Sequence, residues 1–237
     1  MSSAGRLAVF TLGAALLTSS PARLLSVEAP VLVHFGGLAL VYAKDGLPRL
    51  DASGTLLVPV ATTCALVGAT CERKSLTLRA TLGDVSVQLP VTDEAGNAFV
   101  PLRRFTNGLG LGVAWQPSLH GAVVSDAANR GDLASIADYD VGSAVSPVGR
   151  LWARFEPKAN SRLLDLTVRA ERGLLTIESV FSKLSTGALA VTGAAALGTP
   201  DNPSVKFACA RSGSSCTVTI DRDASYALVR TRRTEAP

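Results

Sequence analysis

Histidine is scarce in this sequence and its positive and negative charges nearly balance, and each of these features excludes a class of function. Only two of the 237 residues are histidines, so one chain cannot build a metal centre from three or four imidazoles. Lys and Arg number 23 and Asp and Glu number 19, a net charge of +4 that is too even for a dedicated nucleic-acid-binding protein. Hydrophobic residues make up 47% of the chain and charged residues 18%. Such a composition supports a buried core and excludes a disordered polymer.

The N-terminal residues have the composition of a secretory signal. Arg6 precedes an eleven-residue apolar run, Leu7 to Leu17, and small residues follow as far as Ala22. A positive residue, an apolar run of this length and a small-residue cleavage site are typical of a signal peptide. The run is shorter than the roughly 20 residues that a membrane-spanning helix needs. We therefore predict a signal peptide over residues 1–22, export to the periplasm or cell surface, and no transmembrane span; a buried N-terminal helix or strand is the alternative.

The four cysteines form two pairs with the same spacing. Cys64 and Cys71 are seven positions apart, and so are Cys209 and Cys216. Neither pair has the C-x2-C spacing of a zinc site, so two local disulfides formed in an oxidising compartment are predicted. Apolar residues alternate on both sides of a polar turn at residues 211–215, which predicts a hairpin with both sulfurs of the second pair on one face.

A sequence pattern in the first half of the chain occurs twice at a fixed offset. Residues 47–59 recur as residues 89–101, and each copy has a turn glycine and ends at Val-Pro. Self-similarity at a fixed period indicates one supersecondary unit used twice. The prolines favour helix starts at Val60 and Leu102, and glycines favour helix ends near Val67 and Leu109. We expect a duplicated β-β-α-β-β module over residues 30–126.

The second copy of this pattern resembles a known family. The residues that carry the resemblance are Val100-Pro101-Leu102-Arg103, Leu109-Gly110, Val113-Ala114-Trp115 and Gly121-Ala122-Val123-Val124. They look like the motifs of the stalk-type domain named after the N-terminal domain of copper amine oxidases, whereas the first copy departs from them at Val60-Ala61 and Arg73. The resemblance implies an accessory module of secreted bacterial proteins that carries neither the copper nor the cofactor of the oxidase. It implies a fold and a location, and no catalysis.

Two residues of the second copy are candidates for special roles. Arg103 begins the predicted helix, where its guanidinium can reach a carboxylate or carbonyl groups of a neighbouring loop. We expect a structural role for Arg103, and contact with a ligand or partner is the alternative. Trp115 alternates with Val113 on one face of a predicted strand, so we expect it to lie in the core and anchor the helix.

The C-terminal part of the sequence predicts a second, all-β domain. Periodicity is lost between Ser125 and Pro147, where Asp, Ala, Asn, Gly and Ser dominate, which indicates a boundary. Six or seven short alternating runs then follow over residues 147–233. Strands at this spacing predict an antiparallel β-sandwich or an open barrel. The fold class predicted for the chain is therefore mainly β with short helices.

His34 and His120 are the candidate metal ligands. His34 lies between Val33 and Phe35 in a predicted strand, so its side chain points to the face opposite those apolar residues, and His120 lies in a predicted turn. Two imidazoles with a carboxylate, a backbone group or water can hold copper or zinc. An exported protein meets copper, and an open copper site can cycle superoxide.

The sequence favours a non-catalytic function in the cell envelope, with no cofactor. We expect a binding or structural subunit, as in an S-layer or other surface complex, that docks to a cell-surface protein assembly or a wall polymer through exposed strand edges. The alternative is a copper-dependent superoxide dismutase-like subunit that uses His34 and His120.

Overall fold

The computed structural model of the chain describes residues 31–117, 119, 121–126, 151–157, 161–170, 174–184, 189–193, 206–209 and 214–234. These residues form a mainly β fold with two short helices and several sheets, which confirms the predicted fold class in outline. The predicted signal peptide and His120 lie outside the described residues.

The first half of the described chain contains two helices and eleven strands. The helices are α1 (Val60–Val67) and α2 (Leu102–Gly108). The strands are β1 (Val33–Phe35), β2 (Leu38–Ala43), β3 (Arg49–Leu50), β4 (Leu56–Pro59), β5 (Thr70–Lys74), β6 (Thr77–Leu82), β7 (Val85–Pro90), β8 (Thr92–Glu94), β9 (Asn97–Pro101), β10 (Gly112–Gln116) and β11 (Gly121–Ser125). The order strand-strand-helix-strand-strand runs from β3 to β6 and again from β8 to β11.

The second half of the described chain contains strands alone. They are β12 (Leu151–Pro157), β13 (Leu163–Ala170), β14 (Leu174–Leu184), β15 (Leu189–Gly193), β16 (Lys206–Cys209), β17 (Ser215–Asp221) and β18 (Ala224–Thr234). Each lies at one of the alternating runs from which the sequence predicts a strand.

Both helices begin where the sequence predicts, directly after a proline. Pro59 and Pro101 have extended backbones and directly precede the first helical residues. Proline has no N–H, and at the start of a helix the helix needs no N–H from it. Helix α1 ends at Gly68, whose φ of 74° is left-handed and is reached by glycine without strain. Helix α2 ends at Gly108, one residue before the predicted end.

Strands from both halves of the chain share one large sheet, which we call the central sheet. Its seven strands lie in the order β10-β11-β1-β2-β18-β14-β15. Strand β1 runs parallel to β11, with Val33 opposite Ala122, and antiparallel to β2. Three smaller sheets have the orders β12-β13-β17-β16, β3-β4-β9-β8 and β5-β6-β7.

The central sheet separates two hydrophobic cores because successive strand residues point to opposite faces. The first core joins both helices to the central sheet and includes Phe35, Phe105 and Tyr226. The second core lies between the central sheet and the β12-β13-β17-β16 sheet and includes Val41 and Leu166. This second arrangement is two sheets packed face to face, as in a β-sandwich.

Trp115 is not a core residue, so that prediction is wrong. Its side chain is 45% exposed, whereas Val113 on the same strand face packs against the first core. Strand β10 is the outer strand of the central sheet in the part of the chain that the structure describes. Alternation identifies the face of a strand, but it does not show how far along the strand the covering layer extends.

Candidate functional site

Both predicted disulfides are closed. Cys64 of α1 bonds to Cys71 of β5, with Cα atoms 6.3 Å apart. Cys209 and Cys216 lie directly opposite each other in the β16–β17 hairpin, with Cα atoms 4.0 Å apart, and they are bonded too. The predicted pairing and the predicted hairpin are confirmed, and all four sulfurs are in disulfide bonds.

His34 lies on the face of β1 opposite Val33 and Phe35, as predicted, and it is buried there, which the sequence does not predict. Its side chain is 2% exposed. The backbone of β11 lies against it, because a Cβ at Gly121 would be 2.4 Å from the Leu32 carbonyl oxygen and 3.5 Å from the imidazole Cδ2. Within the described residues, Nδ1 has no hydrogen-bond partner. Burial disfavours the charged form and lowers the pKa of His34 to about 4.

Among the described residues, no metal-binding group surrounds His34. In the parts of the chain that can be described, no three His, Cys, Asp or Glu side chains are placed to hold a metal ion. His120, the predicted second ligand, lies outside those parts. The shared copper site therefore stays a prediction.

Arg103 lies in the first turn of α2, and its side chain is exposed. Its carbonyl oxygen accepts a hydrogen bond from the Thr106 hydroxyl at 3.2 Å. The predicted role of its guanidinium in a ligand or partner contact stays a prediction.

The structure also contains a cavity that the sequence does not reveal. It has a volume of about 360 Å³ and lies where the end of β2, helix α1, the β8–β9 turn and the ends of β14 and β18 meet. We call it the lysine cavity. Its lining residues are Lys44, Asp45, Ala61, Thr62, Ala65, Asn97, Lys183, Leu184, Ser225 and Tyr226.

Strand pairing brings the distant parts of this lining together. Lys183 of β14 lies opposite Tyr226 of β18, which in turn lies opposite Ala43 of β2. Lys44 follows directly, and its backbone N–H donates to the Ser225 carbonyl oxygen at 2.8 Å. The two lysines meet at one cavity because β18 lies between β2 and β14.

Asp45 fixes the helical wall of the cavity. Its carboxylate accepts the backbone N–H of Thr62 at 3.0 Å and the Thr62 hydroxyl at 2.5 Å. Thr62 is the third residue of α1, and its N–H is one of the donors that a helix leaves without an internal partner. Pro59, at the N-cap, makes no side-chain cap hydrogen bond. Asp45 therefore caps α1 from the turn after β2.

No family model matches this chain, and neither a curated protein nor a solved structure matches it. The resemblance to the stalk-type domain therefore stays a prediction. Neither α1 nor α2, the helices of the described part, is long and apolar enough to span a membrane.

Proposed function

We propose that the chain is an exported, non-catalytic module of the bacterial cell envelope, with a binding or structural role in a surface assembly or on a wall polymer. The two closed disulfides are the observation that supports this most. Disulfides persist in oxidising compartments and are rare where thiols are kept reduced. Each one closes a short loop within a single structural unit, which is typical of a stabilised scaffold.

The arrangement of the first half supports a duplicated stalk-type module over residues 30–126. The element order of β3 to β6 recurs from β8 to β11, and β4 and β9 pair in the middle of one sheet. The offset between the starts of the two helices equals the offset between the sequence repeats. A duplicated accessory module agrees with a scaffold role.

Strand β10, the outer strand of the central sheet within the described residues, supports a docking role. It carries the half-exposed Trp115, and the outer strand of a sheet can pair with a partner chain. Tryptophan is enriched where proteins contact each other.

Cell fractionation tests the proposed location. The full chain with a C-terminal epitope, expressed in a bacterial host, should appear in the envelope fraction, begin after residue 22 and contain no free thiol. Leu12→Arg, which interrupts the apolar run, should retain the protein in the cytosol. Reduced, uncleaved wild-type protein in the cytosol would overturn the proposal. Co-sedimentation with isolated cell walls then tests the binding role, and Trp115→Ala tests the docking strand.

A copper-dependent superoxide dismutase-like function is the second candidate. The buried imidazole of His34 favours it, since Nδ1 has no partner among the described residues. Elemental analysis of the exported chain should then find near-stoichiometric copper, and His34→Gln and His120→Ala should each lose it. Wild-type protein without copper after incubation with the metal would overturn this candidate.

A further inference from the structure

We propose that two copies of the chain associate through β10, and that the two β10 strands pair antiparallel across a two-fold axis and join two central sheets into one. The inference rests on the docking role proposed above for β10, and it names the partner as a second copy of the same chain. The composition of β10, a comparison with the first repeat and the register of the pairing carry it.

Strand β10 presents an open surface. It is the outer strand of the central sheet in the described part of the chain, and four of its five residues are exposed. The side chain of Trp115 is 45% exposed, and the strand contains neither a charged residue nor a proline. Proteins commonly use charged residues or proline to prevent an outer strand from pairing with another chain. Strand β10 has neither of these protections.

The equivalent strand of the first repeat does have such protection. Strand β5 begins at Thr70 and β10 begins at Gly112, which is the same offset as between the sequence repeats. Strand β5 is also an outer strand, in the β5-β6-β7 sheet, and its last three residues are Glu72-Arg73-Lys74. The corresponding residues of β10 are Ala114-Trp115-Gln116, which carry no charge. The same position in the repeat is therefore protected by charge in one copy and open in the other.

The side chains of β10 match those of a second β10 in one antiparallel register. When Ala114 lies opposite the partner's Ala114, all five residues of the strand are paired, and any other two-fold register leaves at least one of them unpaired. Val113 and Trp115 lie on one face of the strand, because successive residues alternate. In this register Val113 lies opposite the partner's Trp115, and the two-fold axis repeats the pair. Aromatic residues opposite β-branched residues stabilise antiparallel strands.

The contact is small, so we expect the association to be weak. Five residues from each chain form an interface of the size found in transient complexes. A dissociation constant on the order of 100 µM is expected for such a contact. At a chain concentration of about 1 mM most chains are then paired.

Analytical ultracentrifugation of the purified, disulfide-bonded chain measures the association. We expect an equilibrium between monomer and dimer, with the dimer as the largest species. Hydrogen exchange of backbone amides over the same concentrations locates the contact. Amides of residues 112–116 should exchange more slowly as the dimer forms, whereas those of residues 70–74 should not change.

Charges at Ala114 test the pairing and its register. Ala114→Lys places two ammonium groups opposite each other in the dimer, and Ala114→Glu places two carboxylates there. Like charges directly opposite each other destabilise paired strands, so each variant alone should associate at least about tenfold more weakly than the wild type. A mixture of the two variants should associate again, because opposite charges then meet. Trp115→Ala, which removes both aromatic pairs, should also weaken the dimer about tenfold.

Glu72→Lys is the matched control for Ala114→Lys. Position 72 corresponds to position 114 in the repeat, and Glu72 is exposed on the outer strand β5. The control should dimerise as the wild type does. The amide spectrum of each variant shows that it has folded.

Four results would overturn the proposal. The first is a wild-type chain that stays monomeric at about 1 mM. The second is equal weakening by Glu72→Lys and Ala114→Lys, and the third is a mixture of Ala114→Lys and Ala114→Glu that does not associate. The fourth is assembly that continues beyond the dimer, which would indicate head-to-tail pairing of β10 with β15, the uncharged outer strand at the other end of the described sheet.

These outcomes are distinct from those that test the proposed function. A monomeric chain that appears in the envelope fraction and sediments with cell walls would overturn the dimer and leave the envelope role in place. A chain that stays in the cytosol and dimerises through β10 would overturn the location and leave the dimer in place.

Discussion

Val58 of β4 lies directly opposite Val100 of β9, and the two valines occupy equivalent positions in the two sequence repeats. The neighbouring pairs are Leu57 with Pro101 and Pro59 with Phe99. Residues 57 and 99 correspond in the repeat, as do residues 59 and 101. The pair Leu57–Pro101 is therefore equivalent to the pair Phe99–Pro59 with the two strands exchanged. The two strands therefore meet with local two-fold symmetry centred on the two valines.

Val58→Ala and Val100→Ala should destabilise the protein to a similar extent. Both side chains are fully buried, so each change removes apolar contacts and leaves a cavity, at a cost of about 2 kcal/mol in the free energy of unfolding. Urea denaturation measures the loss. Val85→Ala, at a position 43% exposed, is the matched control and should cost less than about 0.5 kcal/mol. A large difference between the two buried variants would contradict the symmetric environment.

Acidification should destabilise the protein through His34. Above pH 6.5 the imidazole is neutral in the folded chain and in the unfolded chain. Folding then does not have to remove a proton from it. As the pH falls from 6.5 towards about 4, the unfolded chain binds a proton that the folded chain excludes, so stability is lost. The loss reaches about 3 kcal/mol near pH 4. Urea denaturation across this range measures it.

His34→Leu is the variant that isolates this effect. It has no imidazole to titrate. Between neutral pH and pH 4 its free energy of unfolding should therefore fall by about 3 kcal/mol less than that of the wild type. Other groups titrate equally in both proteins and cancel in the comparison. Parallel pH profiles of the wild type and the variant would contradict the burial of a neutral His34.

Gly108→Ala should destabilise the protein although alanine is the better helix former. A Cβ at this position would lie 2.4 Å from Cγ2 and 2.7 Å from Cβ of Val87 on the neighbouring strand β7. Overpacking of this kind costs about 1–3 kcal/mol in the free energy of unfolding. The better helix propensity of alanine offsets at most about 1 kcal/mol of this cost. Val87→Ala in the same chain should restore part of the loss. Thermal denaturation of both single variants and the double variant measures the coupling, and a stabilised Gly108→Ala protein would contradict the contact.

Removal of either disulfide should lower stability by a similar amount. Both pairs are seven positions apart, and constraint of an unfolded loop of this length is worth about 2–3 kcal/mol. The variants are Cys64→Ala with Cys71→Ala, and Cys209→Ala with Cys216→Ala. Urea denaturation under non-reducing conditions measures each loss, and reduction of the wild type should reproduce the two losses together. A change below about 1 kcal/mol in either variant would contradict the role as a structural clamp.

Local features of the fold could be predicted from the sequence because their causes are local. The helix starts follow from Pro59 and Pro101, and the left-handed end of α1 follows from Gly68. The Cys209–Cys216 hairpin follows from alternation on both sides of a polar turn. These patterns depend on neighbours within a few residues.

Features that depend on distant strands could not be predicted. The parallel pairing of β1 with β11 and the exposure of Trp115 are set by which layers cover the sheet, and alternation does not contain that information. Lys44 and Lys183 meet through the order β2-β18-β14 alone, so no motif marks the cavity that they share.

The place of β18 between β2 and β14 has a consequence for biosynthesis. Leu40 and Leu228 are paired across this junction, although one lies near the beginning of the described chain and the other near its end. Both hydrophobic interiors stay incomplete until this last described strand leaves the ribosome, and contacts at such separation form slowly. A nascent chain with this topology therefore stays unfolded until residues 224–234 have been synthesised, and an unfolded chain is the state in which polypeptides are threaded through a translocation pore.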